Sequence, residues 1–451
     1  MSRGAAGEEV AGGGAESRMA DDGGASRALA RFEDLTGPAG RAALRRRFAE
    51  VQERYEPFVD EAGRWERIEA EAEGVRRLEG ERRFRGSALG VKDIFHVDGL
   101  PTRAGSLLPP EALAGEEAES VRRLRTAGAV VLGKTVTTEL AYFEPGPTRN
   151  PRAPDRTPGG SSSGSAAAVA AGLCPLALGT QTIGSLCRPA AYCGIVAFKP
   201  TYDRVPRGGV VPLAPSLDHV GVLAADVAWA RRAAAILCDG WWEAAVRHRS
   251  PTLAVPVGPY LEAAEPVARH HLRAVQRRLA GAGFAVREVP ALLDHDEIAA
   301  RHRALMAAEA ARVHELWYAA YRELYRPRTA ELIERGRRVS AGDEAAGLEG
   351  RDALRRELEA AMDERGIDLW LSPAATGPAP RGLASTGDPA MNLPWTHAGL
   401  PTVALPAGTT DDGLPLGVQI TGRFGADEYV LAWAARLEPV LAGGRGGDRG
   451  G

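Results

Sequence analysis

The sequence predicts an α/β fold, a single large domain in which a mixed, twisted β-sheet is covered by helices on both faces. Three observations carry this reading. Short apolar runs of strand character alternate with amphipathic helical segments along the whole chain. No Pro/Ser-rich linker interrupts residues 30–440 of the 451, so one compact unit is expected. Hydrophobic residues make up 44% and charged residues 25%, ordinary values for a chain that buries a large core.

The elements follow in order. Residues 1–28 are Gly/Ala/acidic low complexity and are expected to be disordered. Arg41 to Arg83 reads as helical, with Phe48, Val51 and Tyr55 at helical intervals among charges. Ser87 to Phe95 is a strand-like run ending in the turn Asp98-Gly99-Leu100-Pro101. Glu119 to Ala127 reads as a short helix, Ala129 to Leu132 as a buried strand, Ser165 to Ala171 as a helix and Leu176 to Gly179 as a strand. A βαβ rhythm follows, with strand at Pro251–Val257, helix at Pro266–Ala282 and strand at Ala285–Val289. Residues 296–365 read as a charged helical insertion. Asp368–Ser372, Pro401–Leu405 and Val418–Thr421 are late strands, and the glycine-rich residues 441–451 form an expected disordered tail.

Charge and cysteines exclude several function classes. The formal net charge is −3, from 56 basic and 59 acidic residues, and the arginines are interleaved with apolar residues, as on solvated helix faces. No nucleic-acid or membrane partner is expected. Cys174, Cys187, Cys193 and Cys238 have apolar or small neighbours and read as buried free thiols. With no C-x-x-C pair and no His/Cys group of zinc spacing, neither metal nor cofactor is expected. The N-terminus lacks a basic region followed by an apolar one, and the longest apolar stretch, 166–178, is too short to span a bilayer. A cytoplasmic protein is expected.

Two motifs invite functional readings that their context opposes. Gly128-Ala-Val-Val-Leu-Gly-Lys-Thr135 satisfies the phosphate-loop expression. Its four middle positions are strong strand formers, so their N–H groups are expected to be spent in a sheet rather than around phosphate. Gly160-Ser-Ser-Ser-Gly164 matches a nucleophile elbow at Ser162 but follows a turn instead of a strand. Asp218 and His219 are adjacent and point different ways on most backbones, so they make a poor relay pair.

A third set is stronger. Lys92 stands in the apolar run Gly90-Val-Lys-Asp-Ile-Phe95. Alone it reads more readily as a snorkelling surface lysine than as a buried one with a lowered pKa. The serine run 161–163 and the small-residue turn Gly179-Thr-Gln-Thr-Ile-Gly-Ser185 lie downstream, and the latter suits N–H groups converging on an oxyanion.

Together GVKDIF at 90–95, RTPGGSSSGSAAAVAAG at 156–172 and LGTQTIGSLCRPAAYCGIVAFKPT at 178–201 resemble the amidase signature family of serine hydrolases. Ser161 and Ser185 are 24 positions apart, as that family's two serines are. HVDGLPTRAG at 96–105, PSLDHVG at 215–221 and NLPWTHAGLPTVALPAG at 392–408 extend the likeness over roughly 45–437.

The resemblance implies a catalytic domain over 29–440 and a Ser-Ser-Lys triad. Ser185 would be the nucleophile, Lys92 the base, and Ser161 the relay between them after a cis Gly160–Ser161 bond. Thr182, Ile183 and Gly184, with the Ser185 N–H, would form the oxyanion hole, supported by Ser162 and Gln181. It also implies a small-molecule amide substrate, cleaved through an acyl-enzyme to carboxylate and ammonia or amine. Departures from the family's common Asp-x-Gly-Gly-Ser-Ile-Arg include Gln181 in place of the aspartate, Ile183 in place of the first glycine, and Cys187 in place of the arginine, which stands one place later as Arg188. Alternatives are the glutamine-using subunit of the aminoacyl-tRNA amidotransferase and a catalytically silent binding protein of the same fold. A homodimer is the default expectation for a soluble enzyme. Tyr142, Phe143, Trp317 and Tyr318 are candidate acyl-pocket residues, with core packing the commoner role for such aromatics.

Overall fold

Every residue of strand β1 (Ala88–Lys92) is buried, yet successive side chains enter different apolar layers. Leu89 and Val91 belong to one hydrophobic cluster and Ala88 to another. In β2 (Val130–Thr135) Val131 sides with the first cluster, Val130 and Leu132 with the second. A strand's period of two explains the division, and two apolar faces require two covering layers. The computed structural model describes residues 34–80, 82–244, 246 and 250–443. Among them ten strands form one sheet covered on both faces, as the alternation of strands and helices predicts.

The remaining strands are β3 (Leu176–Gln181), β4 (Val196–Lys199), β5 (His219–Ala224), β6 (Thr252–Val257), β7 (Ala285–Pro290), β8 (Leu369–Pro373), β9 (Thr402–Thr409) and β10 (Pro415–Thr421). Their order is β2-β1-β3-β5-β4-β9-β10-β8-β6-β7. The β2-β1-β3 and β8-β6-β7 ends are parallel and the centre is antiparallel. Helices Val227–Leu237 and Asp427–Ala442 cover one face, and Pro38–Tyr55, Arg64–Arg77, Ser163–Ala170 and Cys187–Cys193 the other. Helices His295–Val313, Glu315–Tyr321, Pro327–Gly336 and Ala341–Arg365 lie between β7 and β8 in sequence.

The structure departs from the sequence reading at several boundaries. The helical stretch 41–83 is two helices, broken over 56–63, where Pro57 removes a donor. Strands β4 and β5 escape a local reading because β4 is four residues long and β5 opens on a buried histidine. The final helix runs to Ala442, past the expected start of the tail at 441. The segments 1–28 and 444–451 lie outside the described residues.

The phosphate-loop motif is a strand. Gly133, Lys134 and Thr135 pair in register with Gly90, Val91 and Lys92, and Lys134 Nζ sits 2.8 Å from Asp93 Oδ1 in a buried ion pair. The four cysteines are buried free thiols. Among the described residues no helix is long and apolar enough to cross a membrane.

Gly164 shows how closely the serine-bearing helix packs beneath this sheet edge. A Cβ there would meet Pro57 O at 2.2 Å and Val136 N at 2.4 Å, both backbone atoms that cannot step aside. Gly164→Ala is expected to destabilise the fold by about 3 kcal/mol through overpacking, read as a lowered urea midpoint.

Candidate active site

The site forms where β1 and β3 end side by side. They are parallel neighbours with Val91 opposite Leu178, so Lys92 and Thr180 emerge at the same carboxyl edge, where open α/β sheets place ligands. Lys92 is fully buried, and its Nζ lies 2.7 Å from Ser161 Oγ and 2.8 Å from Thr180 Oγ1. Burial lowers its pKa to about 7, against the opposing pull of the Asp218 charge. The surface reading of Lys92 is therefore corrected: its side chain is buried against Ser161 and Thr180.

Ser161 follows a cis Gly160–Ser161 bond, as the resemblance implies. The turn before it depends on Gly159, whose φ is +84° and whose Cβ would meet Pro189 Cα at 2.8 Å. Ser162 pins the turn to β3, with its Oγ donating to Thr180 O at 3.3 Å and accepting from Thr180 N at 3.4 Å. It is wholly buried and holds the turn rather than facing a ligand.

Ser185 rides on the loop from β3 to helix Cys187–Cys193 and opens into a small pocket with Ser161, Thr182, Ile183, Gly184 and Arg188. No hydrogen bond joins Ser185 Oγ to Ser161 Oγ. The N–H groups of Ile183, Gly184 and Ser185 donate to no protein group among the described residues. Unspent donors beside a hydroxyl are the arrangement that an oxyanion requires.

Gln181 holds the loop in shape. Its Oε1 accepts from Leu186 N at 2.8 Å and Cys187 N at 3.0 Å, and its Nε2 donates to Thr396 Oγ1 at 2.9 Å. Thr396 Oγ1 also reaches Ile183 O at 2.6 Å. A neutral amide thus supplies the acceptor that a carboxylate would, and adds a donor toward Thr396. Gln181→Leu strands two buried N–H groups and is expected to cost about 2–4 kcal/mol, measured by urea unfolding, with Gln181→Glu restoring most of it.

Asp218, Thr180, Thr396 and Lys199 have no site role in the sequence reading, because each acts through a partner distant in the chain. Asp218 accepts from Thr182 Oγ1 at 2.6 Å, Leu213 N at 2.9 Å and Ala214 N at 3.0 Å. Burial raises its pKa against those donors. The adjacent His219 turns away to the Leu217 carbonyl, 2.6 Å from its Nδ1, so the two form no relay. Buried Lys199 is likewise lowered to about 7 by desolvation, and its Nζ donates to Leu400 O at 2.5 Å. Cys187 is no rival nucleophile, since burial pushes its thiol up to about 12.

Tyr142 and Phe143 line the pocket with Ser185, as does Met306. Trp317 and Tyr318 do not: Trp317 Nε1 donates to Ala112 O at 2.9 Å, and Tyr318 stacks edge-on with Tyr325. A larger cavity of about 390 Å³ shares Ala141 and Leu213 with this pocket and reaches Thr180 and Asp218.

The family model described as Amidase matches residues 42–431. The chain belongs to the amidase family. Among its relatives, the A subunit of the glutamyl-tRNA(Gln) amidotransferase of Thermus thermophilus is 36% identical over 416 residues, 79% of this chain and 85% of that protein. The corresponding subunit of Koribacter versatilis is 32% identical over 415 residues, 80% and 85% of the two chains. A crystal structure of an amidase superposes with a TM-score of 0.80 at 34% identity, covering 93% of this amidase chain and 96% of that one. The native peptide amidase of Stenotrophomonas maltophilia gives 0.72 at 26%, covering 91% and 95%.

Proposed function

We propose that this chain is an amidase that hydrolyses a carboxylic amide through an acyl-enzyme on Ser185, with Lys92 as base and Ser161 as relay. The supporting observation is the 2.7 Å contact between a buried lysine, lowered to about 7, and a serine that shares its pocket with Ser185. Ser185 Oγ attacks the carbonyl carbon and passes its proton to Ser161, whose own proton goes to the Lys92 lone pair. The oxyanion takes N–H donors from the loop Thr182–Ser185, each worth about 10²–10³ in rate. Collapse breaks the C–N bond, and the leaving nitrogen receives a proton from Ser161 as Lys92 returns its own. Water, activated by the same relay, then releases the carboxylate and frees Ser185.

The relatives of Thermus thermophilus and Koribacter versatilis support a second reading, in which the amide is glutamine's and the chain is the corresponding subunit of a glutamyl-tRNA(Gln) amidotransferase. One experiment separates the two. Ammonia or amine released from small amides by the purified chain alone supports the stand-alone enzyme. Glutamine hydrolysis that needs partner subunits and aminoacyl-tRNA supports the amidotransferase. If Ser185 resists every fluorophosphonate and sulfonyl fluoride and no amide is cleaved under either condition, both readings fall.

A further inference from the structure

One wall of the Ser185 pocket is held in a conformation that its residues do not favour. Ala141, Tyr142 and Phe143 line that pocket. Leu140 has φ +48° and Ala141 φ +61°. Residues with a Cβ enter this left-handed region rarely, and two in succession persist only where the surroundings enforce them. Glu139, at the start of the turn, is 1% exposed. Its two oxygens each accept from Arg326 N at 3.1 Å, and Oε2 also accepts from Thr329 Oγ1 at 2.5 Å. These donors stand at the N-terminus of helix Pro327–Gly336, where helix polarity favours a carboxylate. Burial raises the Glu139 pKa against them. The same helix reaches along the wall: Arg328 Nη1 donates to Phe143 O at 2.9 Å and Arg335 Nη2 to Tyr142 Oη at 3.4 Å. A carboxylate only accepts, so it takes these backbone and hydroxyl donors together and fixes the turn against the helix.

We propose that Glu139 is a positioning residue that sets the acyl-size limit of the Ser185 pocket. It clasps helix Pro327–Gly336, and the clasp holds the 140–141 turn and the Tyr142–Phe143 wall that follows it. Met306, from helix His295–Val313 of the same insertion, supplies a further part of the wall. The open volume is about 10 Å³, so the wall must move outward before a bulky acyl group can enter. The insertion thus selects substrates at a distance from the reacting atoms. This inference rests on Ser185 being the nucleophile.

The test compares inactivation by methanesulfonyl fluoride and phenylmethanesulfonyl fluoride, a small and a bulky reagent that sulfonylate the same hydroxyl. Their intrinsic reactivities cancel when the ratio of rates is compared between proteins. In Glu139→Ala the bulky-to-small ratio should rise by about 10–100-fold, the size of a hydrogen bond to a charged group. Thr329→Val, which removes one donor and keeps the carboxylate, should move the ratio the same way by less. Glu139→Gln should restore most of the wild-type selectivity. A ratio unchanged in folded Glu139→Ala and Thr329→Val overturns the proposal, as does an equal loss of both rates, the mark of a merely structural role. If neither reagent modifies Ser185, the nucleophile reading fails instead. Amide hydrogen exchange then still tests the clasp: exchange across 139–144 should quicken in both Glu139→Ala and Thr329→Val, and unchanged protection there overturns it.

Discussion

Ser185→Ala is expected to abolish covalent labelling by a fluorophosphonate and to lower kcat for amide hydrolysis by about 10⁴–10⁶-fold. The loss is large because the triad works as a unit: without the nucleophile, Lys92 and Ser161 have no proton to accept. Residual turnover would come from the N–H groups of the Thr182–Ser185 loop acting on bound water. The side chain of Ser185 makes no hydrogen bond to any of the described residues, so the substitution should change stability by less than about 1 kcal/mol. Intact-mass spectrometry of the probe-treated protein, kinetics and thermal melting check the three parts. A Ser185→Ala protein that melts normally and turns over amides at the wild-type rate would falsify the mechanism.

Lys92→Met is expected to remove activity comparably while leaving the protein as stable as wild type, or more so, at pH 7. The buried lysine titrates at about 7 rather than its ordinary 10.5. Between those values the unfolded chain holds a proton that the folded chain does not, so wild-type stability rises with pH across that window. Below pH 7 the full penalty of burying the cation applies, about 5 kcal/mol at ordinary linkage. Methionine escapes it but leaves the Ser161 and Thr180 hydroxyls without their partner, at about 1–3 kcal/mol. The stability advantage of the variant should therefore shrink as pH climbs toward 10. Lys199 titrates with the same sign, so the wild-type-minus-variant difference, and not the wild-type curve, isolates Lys92. In the wild type, kcat/KM should rise as pH passes through about 7 and the lysine loses its proton. A rate that is flat through that region would remove Lys92 as the base.

Much of the sheet is legible locally. Apolar runs such as 130–132 and 252–257, and amphipathic helices such as Glu119–Thr126 and Pro266–Gly281, follow from the spacing of side chains within a few turns or pleats. The serine run, the Gly179–Ser185 turn and Lys92 are likewise visible as residues, and their likeness to a known family joins them before any coordinates do. β4 and β5 are less legible because short buried strands carry too little pattern to declare themselves.

Other features depend on which strands became neighbours. Lys92 is buried on a strand with β3 on one side and β2 on the other, an order that strand sequence alone leaves open. Thr180 becomes the second partner of Lys92 through the parallel register of β1 with β3. Gln181 can replace a carboxylate because Thr396, 215 residues away, receives its amide. Arg188, readable beforehand only as an arginine displaced by one position, proves to have unspent donors beside the nucleophile. Local chemistry prescribes what each segment can form, whereas burial, proton affinity and unmet hydrogen bonds belong to pairs of segments and exist only once those segments have packed.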